Sequence, residues 1–339
     1  MFPLLFLLAV ASVSFCLTYG VRRYALARSL IDVPNARSSH SAPTPRGGGV
    51  AIVMSFLLAL PLLFLLDVFD WNLLLALFGA GLGVAVLGFL DDHGHIAARW
   101  RLLGHAAAAA WALYWLGGLP PLVILGISLE LGWLGQVLAA VYLVWLLNLY
   151  NFMDGIDGIA SIEAVCVCVG SALLYGMLGM GAAIWLPLLL AAAVIGFLLW
   201  NFPPARIFMG DAGSGFLGAI LGVFTIHAAW LAPQLFWSWL IMLGVFIVDA
   251  TFTLLKRLWR GEKLYEAHRS HAYQSASRVH GGHLPITLTV LALNVLWLLP
   301  IALWVGLGHM DGLLGLVLAY LPLLGLAVRY RAGEREQHA

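Results

Sequence analysis

Apolar runs of about 20 residues recur along nearly the whole of this chain, and no other feature constrains its fold so tightly. Lipid admits only backbone whose polar groups are satisfied internally, so runs of this length predict membrane-spanning helices. Eleven are predicted, near 1–20, 47–67, 72–90, 102–118, 134–150, 159–178, 182–200, 213–231, 234–255, 285–307 and 312–328. The stretch 119–133, with Pro120, Pro121 and Glu130, reads as an external loop. Only 10% of the residues are charged, where a soluble domain has about 25%. The fold class expected is therefore all-α integral membrane, a polytopic bundle of about 11 transmembrane helices forming a single domain over 1–339.

The first run has no basic residue before it and no small-residue cleavage site, and Arg22 and Arg23 follow it, so it reads as a spanning anchor. With the N-terminus outside, all 17 Lys and Arg residues fall on cytoplasmic segments and their helix ends, among them Arg46, Arg99, Arg101, Arg206, Lys256, Arg269 and Arg278. The outer loops then hold only Asp67, Asp70, Glu130 and Asp311. Basic residues follow the cytoplasmic side, so the C-terminus is placed there too. Three cysteines make no disulfide framework, and Cys166 and Cys168 read as packing residues within one apolar run.

The same layout puts Asp91, Asp92, Asp154, Asp157 and Asp211 at the cytoplasmic face. Carboxylates gathered at one face repel unless a cation joins them, and a hard divalent metal with a phosphate-bearing substrate would do so. In Gly88-Phe-Leu-Asp91-Asp92-His93 the adjacent acids fit a metal, a substrate phosphate with its metal, or a general base; two solvated loop acids are the plain alternative. In Asn148-Leu-Tyr-Asn151-Phe-Met-Asp154-Gly-Ile-Asp157 polar residues recur every three positions, a stripe on one side if helical. Two amides and two acids are costly in lipid and should face the bundle interior. Asn201-Phe-Pro-Pro-Ala-Arg-Ile-Phe208-Met-Gly-Asp211-Ala-Gly-Ser-Gly215 is a glycine-rich turn entering a helix. Its N–H groups suit phosphate, and Asp211 suits the accompanying metal or, more simply, an N-cap. Phe208 could stack on a planar base.

Two further loops are basic. The first, from Asp32 to Gly49, offers Arg37, His40 and Arg46 to phosphate, and its three glycines permit close backbone approach. The last, 256–284, carries His268-Arg-Ser-His271. A zinc site there lacks a third ligand, and anionic substrate binding or plain loop histidines fit better. Asp249, within the ninth run, reads as a partner to the site or a cavity-lining acid.

Together these segments resemble the polyprenyl-phosphate N-acetylhexosamine-1-phosphate transferases of glycosyltransferase family 4. The resemblance rests on Asn-x-x-Asn-x-x-Asp-Gly-x-Asp-Gly at 148–158, Phe-Met-Gly-Asp-x-Gly-Ser at 208–214, and Asp91-Asp92 in their company. His-Arg-Ser-His at 268–271, rather than a run of histidines, and Pro43-Thr-Pro-Arg46 point to the branch that starts O-antigen or teichoic-acid linkage units, not phospho-N-acetylmuramoyl-pentapeptide transferase.

The resemblance implies a Mg²⁺-dependent enzyme, with Mn²⁺ as the alternative ion. It would transfer a sugar-1-phosphate from a UDP-N-acetylhexosamine to undecaprenyl phosphate, releasing UMP, at the cytoplasmic face of a bacterial inner membrane. Loops 21–46, 91–101, 150–158, 201–215 and 256–284 would form the site. Asp91, Asp92, Asp154, Asp157 and Asp211 would be catalytic, with Asp211, Asp154 and Asn151 holding the metal. Arg46, Asn148, Asn151, Asn201, Phe208, His268 and His271 would bind substrate, Phe208 stacking on uracil. Membrane lipid and a second copy of the chain are further partners; nucleic acid is not. A transporter, whose acids lie nearer the bilayer midplane, and a structural membrane subunit are the competing classes.

Overall fold

The computed structural model describes residues 2–34, 39, 42–94, 96–262 and 268–334. Arg37, His40 and Lys263 therefore lie outside the described residues. Helices occupy each of the eleven apolar runs. The helices are α1 (Phe2–Ala27), α2 (Val50–Leu65), α3 (Trp71–His93), α4 (Ala98–Leu116), α5 (Gly132–Met153), α6 (Ile159–Met177), α7 (Trp185–Asn201), α8 (Asp211–Leu231), α9 (Pro233–Met242), α10 (Gly244–Trp259), α11 (Ala272–Val279), which lies outside those runs, α12 (His283–Leu293), α13 (Leu299–Gly306) and α14 (Gly312–Arg329). The stretch expected as an external loop holds a hairpin, Leu122–Ile124 against Ile127–Leu129. Asp311 ties it to the bundle by accepting from Leu125 N–H while capping α14.

Among the described residues seven helices are long and apolar enough to span, with α12 to α13 (283–306) counted as one, or eight if the pair α9–α10, bent by 71°, counts as one span. The expectation of eleven spanning helices is therefore not reached. α2 and α7 have 16 and 17 residues, and at 1.5 Å per residue a helix of that length falls short of a core of about 30 Å. α4 opens on Arg99 and Arg101 and is rich in alanine.

α8 is the axis of the bundle, buried almost throughout, with α3 and α5 as its principal neighbours. At its first turn the chain segment entering α2 crosses it backbone to backbone. A Cβ on Gly49 would lie 2.4 Å from Gly213 Cα, so the glycine run before α2 is there for a crossing that any side chain would block.

One buried acid escaped notice in the sequence. Glu163 lies fully buried in α6, and Asn294 Nδ2 donates to its Oε2 at 2.6 Å. Asn294 opens a π-helical segment, Asn294–Leu298, between α12 and α13. A side-chain hydrogen bond between helices in an apolar interior fixes their register.

The carboxyl ends of α3, α5, α7 and α10 and the amino ends of α2, α4, α6, α8 and α12 meet at one end of the bundle. That end holds the aspartates singled out in the sequence.

Candidate active site

The last turn of α3 carries Asp91 and Asp92, which turn to different neighbours. Asp92 is buried and crosses to α8, where its Oδ1 accepts from Asp211 N–H (3.1 Å) and its Oδ2 from Ala212 N–H (3.2 Å). These are orphan donors of a helix first turn, so Asp92, not Asp211, caps α8. Gly210 makes room: its φ is +79°, and a Cβ there would stand 2.8 Å from Asp92 Oδ2. Arg46 donates to the Asp92 carbonyl at 2.5 Å. This corrects the expectation that the glycine-rich turn leaves these N–H groups open to phosphate.

Relieved of capping, the Asp211 carboxylate points to other partners. Asn151 Nδ2 donates to its Oδ1 at 2.8 Å and to Ser214 Oγ at 3.0 Å. Arg101 Nη1 sits 3.6 Å from Asp211 Oδ2 and 2.5 Å from Asp91 Oδ2, joining the two acids. Asp91 Oδ1 also accepts from Ile96 N–H at 2.7 Å.

The amide-acid stripe is helical only in part. Asn148 and Asn151 lie on α5, which ends at Met153; Asp154 and Asp157 lie in the turn beyond. Asn148 donates to Val144 O one turn back and has its Nδ2 3.4 Å from His105 Nδ1. The Asp154 side chain makes no hydrogen bond or ion pair among the described residues. Burial first, then the charges of Asp211, Asp92 and Asp157, push its carboxyl well above the usual carboxylate range.

Asp157 turns the other way. Its Oδ2 accepts from Ala205 N–H (2.9 Å), its Oδ1 lies 3.0 Å from His283 Nδ1, and its carbonyl accepts from Thr287. Asn201 is buried and uses both ends of its amide internally, accepting from Gly158 N–H and donating to Ile207 O. It braces the two loops that bear the motifs.

Two cavities flank this cluster. One, of about 740 Å³, is the more polar of the two, and Asp157, Phe208, Arg269, Gln274, Arg278 and His283 are among its walls. The other, of about 630 Å³, has Asp91, Arg101, Asn148, Asn151 and Asp211 at one end and Leu87, Val141, Val144, Trp145 and Leu254 along its length. Asp154 feels charges from both sides, Asp157 on one and Asp211 on the other. A chamber walled by Arg269, Arg278 and Phe208 and an apolar groove thus share one carboxylate cluster.

His268 and His271 stand beside the polar chamber, at the start of α11. Their rings stack with centroids 4.9 Å apart. Burial, aided by the charges of His271 and Arg257, pulls His268 down to about 3, so it is a neutral imidazole at physiological pH. His271 is buried, with its Nδ1 3.2 Å from Asp249 Oδ1; the Asp249 carboxylate also accepts from Ala272 and Tyr273 N–H, each at 2.9 Å. Asp249→Ala is expected to orphan both N–H groups, at about 1–3 kcal/mol each. It should lower the thermal midpoint in detergent and unseat α11, and an unchanged midpoint would refute that role.

Among the described residues no group of three or more His, Cys, Asp or Glu is arranged as a metal cage. The donor chemistry still suits a hard divalent ion. Asp154 is a desolvated carboxylate facing three others, and Asp211 and Asp91 are drawn together around a cation, here the Arg101 guanidinium. Asn151 presents its amide nitrogen to Asp211, so it would have to turn to offer oxygen.

Arg101, His283, Arg269 and Arg278 were missed as site residues, whereas Asp249, read as a partner to the site or a cavity-lining acid, holds His271 and the start of α11. In sequence the arginines are indistinguishable from a general cytoplasmic bias, and only packing brings Arg101 to Asp211.

A protein-family model described as Glycosyl transferase family 4 matches residues 74–229, which include Asp91, Asp92, the 148–158 motif and Asp211. The chain is 27% identical over 259 residues to a probable undecaprenyl-phosphate N-acetylglucosaminyl 1-phosphate transferase of Bacillus subtilis (strain 168), covering 75% of this chain and 71% of the relative. It is 28% identical to the undecaprenyl-phosphate alpha-N-acetylglucosaminyl 1-phosphate transferase of Thermotoga maritima, covering 80% and 81%. A shorter match, 35% over 159 residues, joins it to a phospho-N-acetylmuramoyl-pentapeptide-transferase of Moorella thermoacetica, covering 42% and 50%. The motifs, the helical membrane architecture and these matches point the same way: residues 74–229 are similar to glycosyl transferase family 4, and the two relatives that the chain matches over most of its length are named as undecaprenyl-phosphate N-acetylglucosaminyl 1-phosphate transferases.

Proposed function

We propose that the protein transfers N-acetylhexosamine-1-phosphate from a UDP-sugar to undecaprenyl phosphate, releasing UMP and leaving a lipid-linked diphospho-sugar. The observation that carries this reading is the pairing of a polar chamber with an apolar groove at one carboxylate cluster. The chamber, with Phe208, Arg269 and Arg278, suits a nucleotide diphosphate. The groove, with Arg101 at its polar end, suits a lipid whose phosphate must reach the same point.

In this reading a lipid phosphate oxygen attacks the β-phosphorus, and the bond from that phosphorus to the α–β bridging oxygen breaks. Arg101 holds the incoming phosphate, Asn151 orients Asp211, and Asp157 with His283 fixes the chamber wall. A bound Mg²⁺, held by Asp211 with Asp154 and Asn151, would supply charge neutralisation for the diphosphate. Both Asp92 oxygens are committed to α8 and both Asp91 oxygens to Ile96 and Arg101, which favours direct attack over an aspartyl-phosphate. A phosphomonoester already carries close to two charges at pH 7, so no strong base is required. Positioning and electrostatics supply most of the catalysis in phosphoryl transfer.

The carboxylate end would face the cytoplasm of a bacterial inner membrane, with the N-terminus outside, the C-terminus inside, and α2, α4 and α7 also crossing. The product would be the first lipid-linked intermediate of a surface polysaccharide such as O-antigen. A second reading, the muramoyl-pentapeptide reaction, is favoured by the match at 35% identity. Purified protein with undecaprenyl phosphate and Mg²⁺ should release UMP from a UDP-N-acetylhexosamine in a donor panel and not from UDP-muramoyl-pentapeptide. The opposite preference would replace the first reading with the second. One phosphoanhydride replaces another, so added UMP should regenerate UDP-sugar from the lipid product; failure to do so would count against the reaction.

A further inference from the structure

The wall of the polar chamber depends on α11, a helix of eight residues. A helix that short has little stability of its own. Its inner face, Ala272, Tyr273 and Ala276, borders an apolar cavity of about 280 Å³ shared with α10, α12 and α14. Solid packing behind α11 is therefore incomplete, and its placement rests on contacts at its ends.

The residues that follow α14 grip both of those ends. Gly333 N–H donates to Ser270 O at 2.7 Å, just before α11. The Tyr330 hydroxyl lies 2.9 Å from His280 Nε2, at its close. Ala332 is fully buried with Ala272 and Ala327. Glu334 pairs with Lys256 of α10 at 2.9 Å. Gly333 has φ +72°, and a Cβ there would stand 2.9 Å from Lys256 Cβ and 3.1 Å from Thr253 O, so this turn fits its seat in one way only.

We propose that the carboxyl-terminal turn Tyr330–Glu334 is a clamp on α11 that sets the chamber's affinity for the sugar nucleotide, through the placement of Arg269, Gln274 and Arg278. The proposal rests on the reading of that chamber as the donor site. These are positioning residues: none of them lines the chamber. The lipid groove has no wall in common with the clamp, so the acceptor should be indifferent to it.

The test uses full-length Gly333→Val and, as a gentler variant that deletes one hydroxyl, Tyr330→Phe. Hydrogen–deuterium exchange over 268–282 and the Kd of UDP-N-acetylglucosamine are measured alongside the KM for each substrate. Gly333→Val should speed exchange in that segment and raise the donor Kd and KM about tenfold, a loss of about 1.4 kcal/mol, with the KM for undecaprenyl phosphate within twofold. Tyr330→Phe should show the same pattern at smaller size. Unchanged exchange, or faster exchange with unchanged donor binding, would overturn the clamp, as would an equal rise in both KM values. Wild-type protein that turns over no UDP-sugar would instead sink the functional reading, while exchange and nucleotide-sugar binding would still judge the clamp.

Discussion

Asp211→Asn should cost about 10³-fold or more in kcat/KM, the scale seen when a preorganised charge-stabilising group is removed from a transition state, while leaving the fold intact. The two halves of that expectation come from one observation. The α8 first turn is capped by Asp92 through the backbone of residues 211 and 212, so the Asp211 side chain is not needed to hold the helix. Its carboxylate is instead aimed at Asn151, Asp91 and Arg101. Asparagine keeps the size and loses the charge that a metal and a diphosphate would need. It also removes one of several acids that repel one another, so thermal stability should stay equal or rise slightly. Activity assays beside scanning fluorimetry in detergent would check both, and activity retained within tenfold would remove Asp211 from the mechanism.

Asp92→Ala should behave in the opposite manner, losing fold and activity together. It leaves two N–H groups at the start of a buried helix without an acceptor, at about 1–3 kcal/mol each, in line with about 1–2 kcal/mol for a lost helix cap. The first turn of α8 then has no fixed position, and Asp211 moves with it. Asp92→Asn keeps one acceptor oxygen and should fall between alanine and wild type. A clear drop in the thermal midpoint in the order wild type, asparagine, alanine is the expected result. A wild-type midpoint for Asp92→Ala would mean that Asp92 serves the chemistry and not the helix.

That contrast marks how far the sequence could be read. Asp91 and Asp92 are neighbours in sequence, yet about 100° separates successive side chains on a helix, so one meets α8 and the other α4. Which acid goes where depends on helix packing that no local pattern encodes. The eleven apolar runs were legible because lipid leaves no other state for such segments. Spanning length was less so: α2 and α7 stop short where loops begin, and the 71° bend between α9 and α10 lies within a continuous apolar stretch. The motif acids were legible because charge in such a chain is rare. Asp154 and Asp157 looked like one helical stripe, but α5 ends before them and they diverge to two sides of the cluster. Asn201 looked like a ligand contact and is a buried brace in this structure. Glu163 vanished into an apolar run, and α11 is too short and too polar for periodicity to reveal.

The central claim is that the chain moves a sugar together with its phosphate. The most direct measurement is the identity of the released nucleotide, matched mole for mole against the mass of the lipid product. Transfer of sugar-1-phosphate gives UMP and an undecaprenyl diphospho-sugar in equal amounts, both dependent on undecaprenyl phosphate and both lost in Asp211→Asn. Release of UDP with a lipid monophospho-sugar would contradict the account, because the bond broken would then lie on the other side of the β-phosphate.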